Sequence, residues 1–326
     1  MTILAGLDIG GTKCAVILGK LREEQIEILE RVAFPTPGTP GQSIQKMIES
    51  LDGLIDKHQV MIAAIGISCG GPLDSRKGVV LCPPNLPGWD HIEIVDQLEA
   101  YYHVPVALQN DANAGAMAEW RWGAGKGTEN MMFLTFGTGM GAGLILNGQL
   151  YSGTNDLAGE VGHIRLAEEG PVGFGKAGSF EGFCSGGGIA RLATTMAKQA
   201  IEEGKRPQFC QTLAELHDIT TKKVGEAAQN GDELALKVFS IVGHHLGRAL
   251  ALFVDILNPE KIVIGSIYGR QKDILEPLIK KELEEEAIGL SLSVCEVVPA
   301  GLGESIGDLA SFSVALLALK GNKSNS

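Results

Sequence analysis

Apolar residues recur along this chain in two rhythms. Short, nearly unbroken runs read as strands buried on both faces: ILAGL (3–7), CAVIL (14–18), MIAAIGIS (61–68), VPVALQ (104–109), MMFLTF (131–136), GLILNG (143–148) and KIVIG (261–265). Between them lie stretches with helical spacing: SIQKMIESLDGLIDKH, IVDQLEAYY, ANAGAMAEW, the segments near Ile189–Glu203 and Asp232–Leu257, DILEPLIKKELEEE and SIGDLASFSVALLAL. Strands that alternate with helices predict α/β layers, with ligands at the carboxyl ends of the strands. The first two strands enclose DIGGTK as a glycine-rich hairpin, and MMFLTF and GLILNG enclose GTGMG in the same way. This echo, about one domain length later, suggests a duplicated unit.

Composition narrows the class. The chain has 326 residues, enough for two domains with proper cores, and its 44% hydrophobic and 20% charged content suits a soluble globular protein. Its formal net charge of −12 is spread along the chain, which argues against a nucleic-acid backbone as partner. Six cysteines stand far apart with no CxxC pair, as expected of reduced thiols in the cytoplasm. No signal peptide is expected, since Asp8 and a double glycine come almost at once, and the longest apolar runs, such as ALALFVDIL, are expected to be too short for a bilayer. The polar tail GNKSNS (321–326) is expected to be disordered.

Candidate chemistry begins at LDIGGTK. Asp8 ends a strand, and the glycines after it let backbone amides turn towards an anion, with Thr12 and Lys13 as further donors. FGTGMGAG fits a second cradle, although Ala142 breaks a GxGxxG pattern and no GxxxxGK[ST] exists. Two cradles in two halves suggest nucleotide phosphates clamped across a cleft. At LQNDANAGAMAEW, Asn110 and Asp111 stand where a strand gives way to a helix. Asp111 has two readings here: a cap on that helix, or a general base that takes a hydroxyl proton as the oxygen attacks phosphorus.

The order LDIGGTK, GGPLD, PNLPGW, QNDANAGAMAEW, LTFGTGMGAGLILNGQL, LAGEVGH and SFEGFCSG resembles the ROK family of sugar kinases, from Ile3 to about Leu319. The resemblance implies a two-lobed α/β fold of the actin-like ATPase/hexokinase (ribonuclease H-like) type with a ligand cleft between the lobes. It implies a smaller amino-terminal lobe over 1–114, joined by the last helix at about 305–320, and a larger lobe over 115–304. It further implies ATP and Mg2+ as cofactors. Asp8 would orient magnesium through water, and Gly10, Gly11, Thr12 and Lys13, with Gly137, Thr138 and Gly139, would approach the phosphates. Gly265 and Ser266 would lie near the adenosine, where Ser266 and Ile267 replace glycines common in the family. Asn110 would hold the sugar and Asp111 would be its base, with Gly71, Asn85, Glu160, His163 and Glu181 completing the sugar pocket. A glucose kinase is the leading expectation. N-acylmannosamine, mannose, allose or fructose are alternative substrates, and a sugar-sensing regulator is the rival outside enzymology. A homodimer, cytoplasmic and without nucleic-acid or membrane partners, is the expected form.

In most relatives, the histidine of GEVGH precedes a CxCGxxGC loop whose thiolates join it on zinc. Here the matching positions are Val172, Phe174 and Ser179. His163 alone cannot build a four-ligand structural site, so no zinc is expected. Gly175, Gly178 and Glu181 remain, and packing of Val172 and Phe174 is expected to keep the loop's shape. His244 and His245 fall mid-helix and are read as packing or surface residues.

Overall fold

A computed structural model describes residues 2–323. The chain divides into two compact units, one comprising residues 1–127, 143–158 and 301–326, the other 128–142 and 159–300.

The first unit is built on a five-stranded sheet of order β3-β2-β1-β4-β8. β1 (Thr2–Ile9), β2 (Lys13–Arg22) and β3 (Gln25–Pro35) form an antiparallel meander, and Ile9 pairs with Cys14 across the DIGGTK turn. β4 (Ala64–Cys69) runs parallel to β1, and β8 (Val106–Asn110) runs parallel to β4. β1, β4 and β8 are mostly apolar and buried because both faces of the sheet's centre are covered, whereas β3 at the edge is largely exposed. α1 (Pro40–His58) and α2 (Ile94–Tyr102) bury Met47, Leu51, Leu54 and Leu98 in one core cluster. On the other face lies α11 (Ile306–Lys323), whose Phe312, Ala315 and Leu316 pack on Leu4, Ala15 and Ile17. Gly66 permits this approach, since a Cβ there would collide with the α11 backbone at Ser311 and Ala315. Short strands β5 (Leu73–Asp74), β6 (Val79–Val80) and β7 (Ile92–Glu93) form a side sheet. α3 (Asp111–Trp122) continues directly from β8.

The second unit has its own parallel core, with β14 (Lys261–Ile264) between β9 (Met131–Leu134) and β15 (Glu296–Pro299). β10 (Ala142–Leu146) and β11 (Gln149–Tyr151) follow β9 in the chain as an antiparallel hairpin, almost all of it in the first unit. The remaining elements of the second unit are β12 (Val172–Gly173), β13 (Lys176–Ala177), α4 (Phe180–Cys184), α5 (Gly186–Glu202), α6 (Thr221–Gln229), α7 (Glu233–Leu257), α8 (Ser266–Arg270), α9 (Lys272–Glu286) and α10 (Gly289–Leu292). The sequence echo has a counterpart here: three parallel strands carry each unit, β1-β4-β8 and β9-β14-β15.

Four features differ from expectation. A lobe boundary at 114 falls inside α3, a single helix whose partner is α11, so the first unit extends to Gly127. α7, with 25 residues, is long and apolar enough to cross a membrane; half of its most apolar window is buried within the protein, as in a core helix. α11 continues to Lys323, taking in the first three residues of the tail expected to be disordered; residues 324–326 lie outside the described part. Val172 and Phe174 are exposed and cannot hold their loop by packing. Polar bonds do so instead: Lys176 Nζ donates to the His163 carbonyl (2.6 Å), Arg165 Nη1 to the Ala177 carbonyl (3.0 Å), and Ser179 Oγ to the Gly173 carbonyl (3.2 Å). All six cysteines are free thiols.

Candidate active site

In the first unit, β1 delivers Asp8 to the edge of the DIGGTK turn. The Gly10 amide closes this turn on the Lys13 carbonyl (3.1 Å) and so is not available to an anion. The amides of Gly11 and Thr12, outside both strands, have no acceptor among the described residues. Gly11 has to be glycine, because a Cβ would collide with the Asn85 carbonyl oxygen; the turn and the PNLPGW segment therefore touch. Burial raises the pKa of Asp8 to about 6, reinforced by the nearby carboxylates Asp308 and Asp111 and opposed by Arg31 and Lys13. Asp308 is held at 2.8 Å by Arg31 Nε.

Asp111 is the first residue of α3, but the capping bond belongs to its neighbour. Asn110 Oδ1 accepts from the Asn113 amide at 2.7 Å. Asn110 therefore keeps its amide nitrogen for a ligand, and the helix does not depend on Asp111. The Asp111 carboxylate accepts from the Ala112 amide (2.8 Å), and its side chain is open to solvent. Loss of surrounding water still pushes its pKa up, against the pull of its backbone hydrogen bonds. A carboxylate with raised proton affinity at a helix start is equipped to accept a proton. Gly71, just before β5, and Asn85, in the connection between β6 and β7, are also exposed.

In the second unit, the GTGMG turn is tied internally: Gly141 N donates to Thr135 Oγ1 (2.9 Å) and Gly137 N to the Thr135 carbonyl (3.1 Å). The Thr138 and Gly139 amides have no protein acceptor among the described residues. Glu181, on α4, accepts from the Met140 amide through Oε2 (3.2 Å), so the same turn orients this carboxylate. The His163 ring meets Phe174 edge-on, 4.8 Å between centroids. Glu160 stands three residues before it, at the start of the same 3-10 turn. A cavity of about 980 Å³ lies within this unit, lined in part by Gly137, Thr138, Thr221, Ser266, Ile267 and Arg270. Its size suits a nucleotide. Ser266 Oγ donates to the Phe136 carbonyl (3.1 Å), and Gly186 N donates to that of Gly137 (2.7 Å), fixing the cavity floor.

Comparison with known proteins bears on these features. The ROK family model matches residues 4–316. The chain belongs to the ROK family. It is 35% identical, over 93% of its own length and 91% of the relative's, to a glucokinase of Halalkalibacterium halodurans. Among solved structures, it resembles a ROK family glucokinase from Streptomyces griseus in complex with glucose and AMPPNP (30% identity, TM-score 0.76, 98% and 99% of the two chains). It also resembles a ROK hexokinase from Thermus thermophilus (27% identity, TM-score 0.79, 98% and 100%). The fold is thus the α/β architecture of ROK hexokinases, in the actin-like ATPase class.

Of the residues picked out by sequence, Asp8, Gly10, Gly11, Thr12, Lys13, Gly71, Asn85, Asn110 and Asp111 fall in the first unit. Gly137, Thr138, Gly139, Glu160, His163, Glu181, Gly265 and Ser266 fall in the second. Sequence reasoning missed Asp308 and Arg31. One signal could have found Asp308: it is the only charge between Glu304 and Lys320.

Proposed function

We propose that this protein transfers the terminal phosphoryl group of ATP to the primary hydroxyl of a hexose, glucose first, forming glucose 6-phosphate and ADP. The observation that carries this reading is Asp111: an open carboxylate of raised proton affinity, relieved of capping by Asn110. As the sugar oxygen forms its bond to phosphorus, its proton passes to Asp111 and the bond between that phosphorus and the ADP oxygen breaks. The free amides of Thr138 and Gly139 and those of Gly11 and Thr12 supply donors for phosphate oxygens. The cavity over Ser266 and Ile267 takes the nucleoside. Asn110, Gly71, Asn85, Glu160, His163 and Glu181 bind the sugar, whose hydroxyls pair with carboxylate, amide and imidazole groups. Such a site rejects an analogue that lacks one hydroxyl, because a polar partner is then left bare.

Magnesium fits the donor set of the first unit. The Asp8 carboxylate has no hydrogen-bond partner among the described residues, and its neighbouring carboxylates disfavour its charge until a cation compensates. Asp8 would orient the ion through water; when bound, the ion supplies charge neutralisation for the phosphates. The reading includes no structural zinc, and it places the protein in the cytoplasm as a homodimer.

A coupled assay for ADP over a panel of hexoses tests the proposal. Glucose should give the highest kcat/KM, and Asp111→Asn should lower kcat by about 10²–10⁴-fold while glucose binding by calorimetry persists. Near-normal turnover in that variant would remove Asp111 from the chemistry.

A further inference from the structure

Asp156 lies in the loop after β11 with φ +61°, a left-handed conformation that glycine adopts without steric cost and most residues avoid. It is also only 5% exposed. Aspartate tolerates this backbone shape better than most residues, but burial weighs against it, so its side chain has to compensate. It does so with both oxygens: Ser75 N donates to Oδ2 at 2.7 Å, and Ser75 Oγ donates to Oδ1 at 2.8 Å. A weaker bond runs beside them, from Arg76 Nη2 to the Gly153 carbonyl at 3.4 Å.

The bonded segments are far apart in sequence and close to proposed sugar contacts. Ser75 follows Gly71 by four residues, just past β5, and the Lys77 amide donates to Asp74 Oδ1 (3.0 Å) to shape the same turn. Asp156 precedes Glu160 by four residues and stands two before Ala158, the last residue of this stretch of the first unit. The 152–158 loop closes on itself through Ala158 N and the Ser152 carbonyl (3.1 Å), so fixing Asp156 fixes the point from which the chain leaves towards Glu160.

We propose that Asp156 is a positioning residue for the sugar: its carboxylate clamps the turn after Gly71 to the 152–158 loop of the same unit and holds that turn where the first unit's sugar contacts require it. The inference rests on the hexose-kinase reading. Preorganisation of this kind lowers the cost of ordering two loops when ligand binds, and acts on affinity rather than on proton transfer.

The test uses the full chain and three variants. Asp156→Gly removes both bonds and leaves the backbone at ease, Asp156→Asn keeps one carbonyl oxygen as acceptor, and Ser75→Ala removes the hydroxyl bond alone. For Asp156→Gly, KM for glucose and the calorimetric Kd for glucose should both rise by about tenfold or more, with kcat within about threefold and KM for ATP unchanged. The Asn and Ala variants should fall between that variant and the wild type. A Gly variant with unaltered glucose Kd would overturn the clamp, as would parallel losses in kcat and both KM values, which a general loss of structure would give. If the Gly variant fails to fold, unaltered glucose Kd in Asp156→Asn and Ser75→Ala overturns it equally. A wild type that turns over hexose leaves only the clamp at stake, whereas one that neither binds nor phosphorylates any hexose defeats the functional reading and this inference with it.

Discussion

Asp8 shows how one side chain can be costly to the fold and useful to the site. Its pKa stands near 6 instead of 3.8, first through burial and then through Asp308 and Asp111. A carboxyl whose folded pKa is raised favours the folded state while protonated. That contribution is complete below about pH 4 and is lost as pH rises through 6. Above pH 6, therefore, ionised Asp8 destabilises the protein. Asp8→Asn should raise stability by about 1–3 kcal/mol at pH 8 without divalent cation, since a tenfold change in proton affinity corresponds to about 1.4 kcal/mol. The gain should vanish at pH 4. Urea unfolding at the two pH values measures it; equal stability of the variant and the wild type at pH 8 would mean that the carboxylate is not strained by its surroundings. The variant should also lose its magnesium dependence together with its activity.

Single elements explain what the sequence could and could not disclose. Strands such as CAVIL and KIVIG are legible because both of their faces are buried, leaving no polar alternation to confuse them. β3 escapes that reading: QIEILERVAFP mixes exposed Glu27 and Arg31 with partly buried Ile26 and Val32, as an edge strand does. Asp111 was visible as a residue, but its role was not, since the choice between cap and base depends on where the Asn110 side chain turns. The clamp from Asp156 to Ser75 was out of reach because it joins residues 81 apart.

The β12–β13 loop follows the same logic. Glycines at 175 and 178, both at positive φ, mark its path, and the residues that lend it stiffness are polar ones from neighbouring segments. Phe174 lies against the His163 ring, and Ser179 caps α4 by accepting from the Gly182 amide (3.1 Å). Neither offers a thiolate. A zinc-selective chelator, with magnesium kept in excess, should therefore leave both glucose turnover and melting temperature unchanged. Loss of either on chelation, with recovery on added zinc, would restore a metal to this loop.

At the scale of the whole molecule, the surface of the second unit is uneven. Exposed Leu252 and Ile256 on α7 meet a segment carrying exposed Ile288, Leu290 and Val294, and the Ile288 amide donates to Asp255 Oδ1 (2.9 Å). Single exposed apolar residues need no explanation; five gathered at one corner do. If the protein is the homodimer proposed above, a second copy of this chain would cover this corner. Along α7, Arg248 precedes Leu252 by one turn and lies 3.6 Å from Glu286 of α9, at the rim of the apolar corner. Ile256→Glu places a charge in that corner and should convert a two-chain particle into a single chain in sedimentation equilibrium, with the circular dichroism spectrum unchanged. Arg248→Glu should weaken association less, because a rim charge is solvated and screened. A wild type that sediments as one chain at tens of micromolar, or an Ile256→Glu variant that remains paired, would show that this corner meets something other than its own copy.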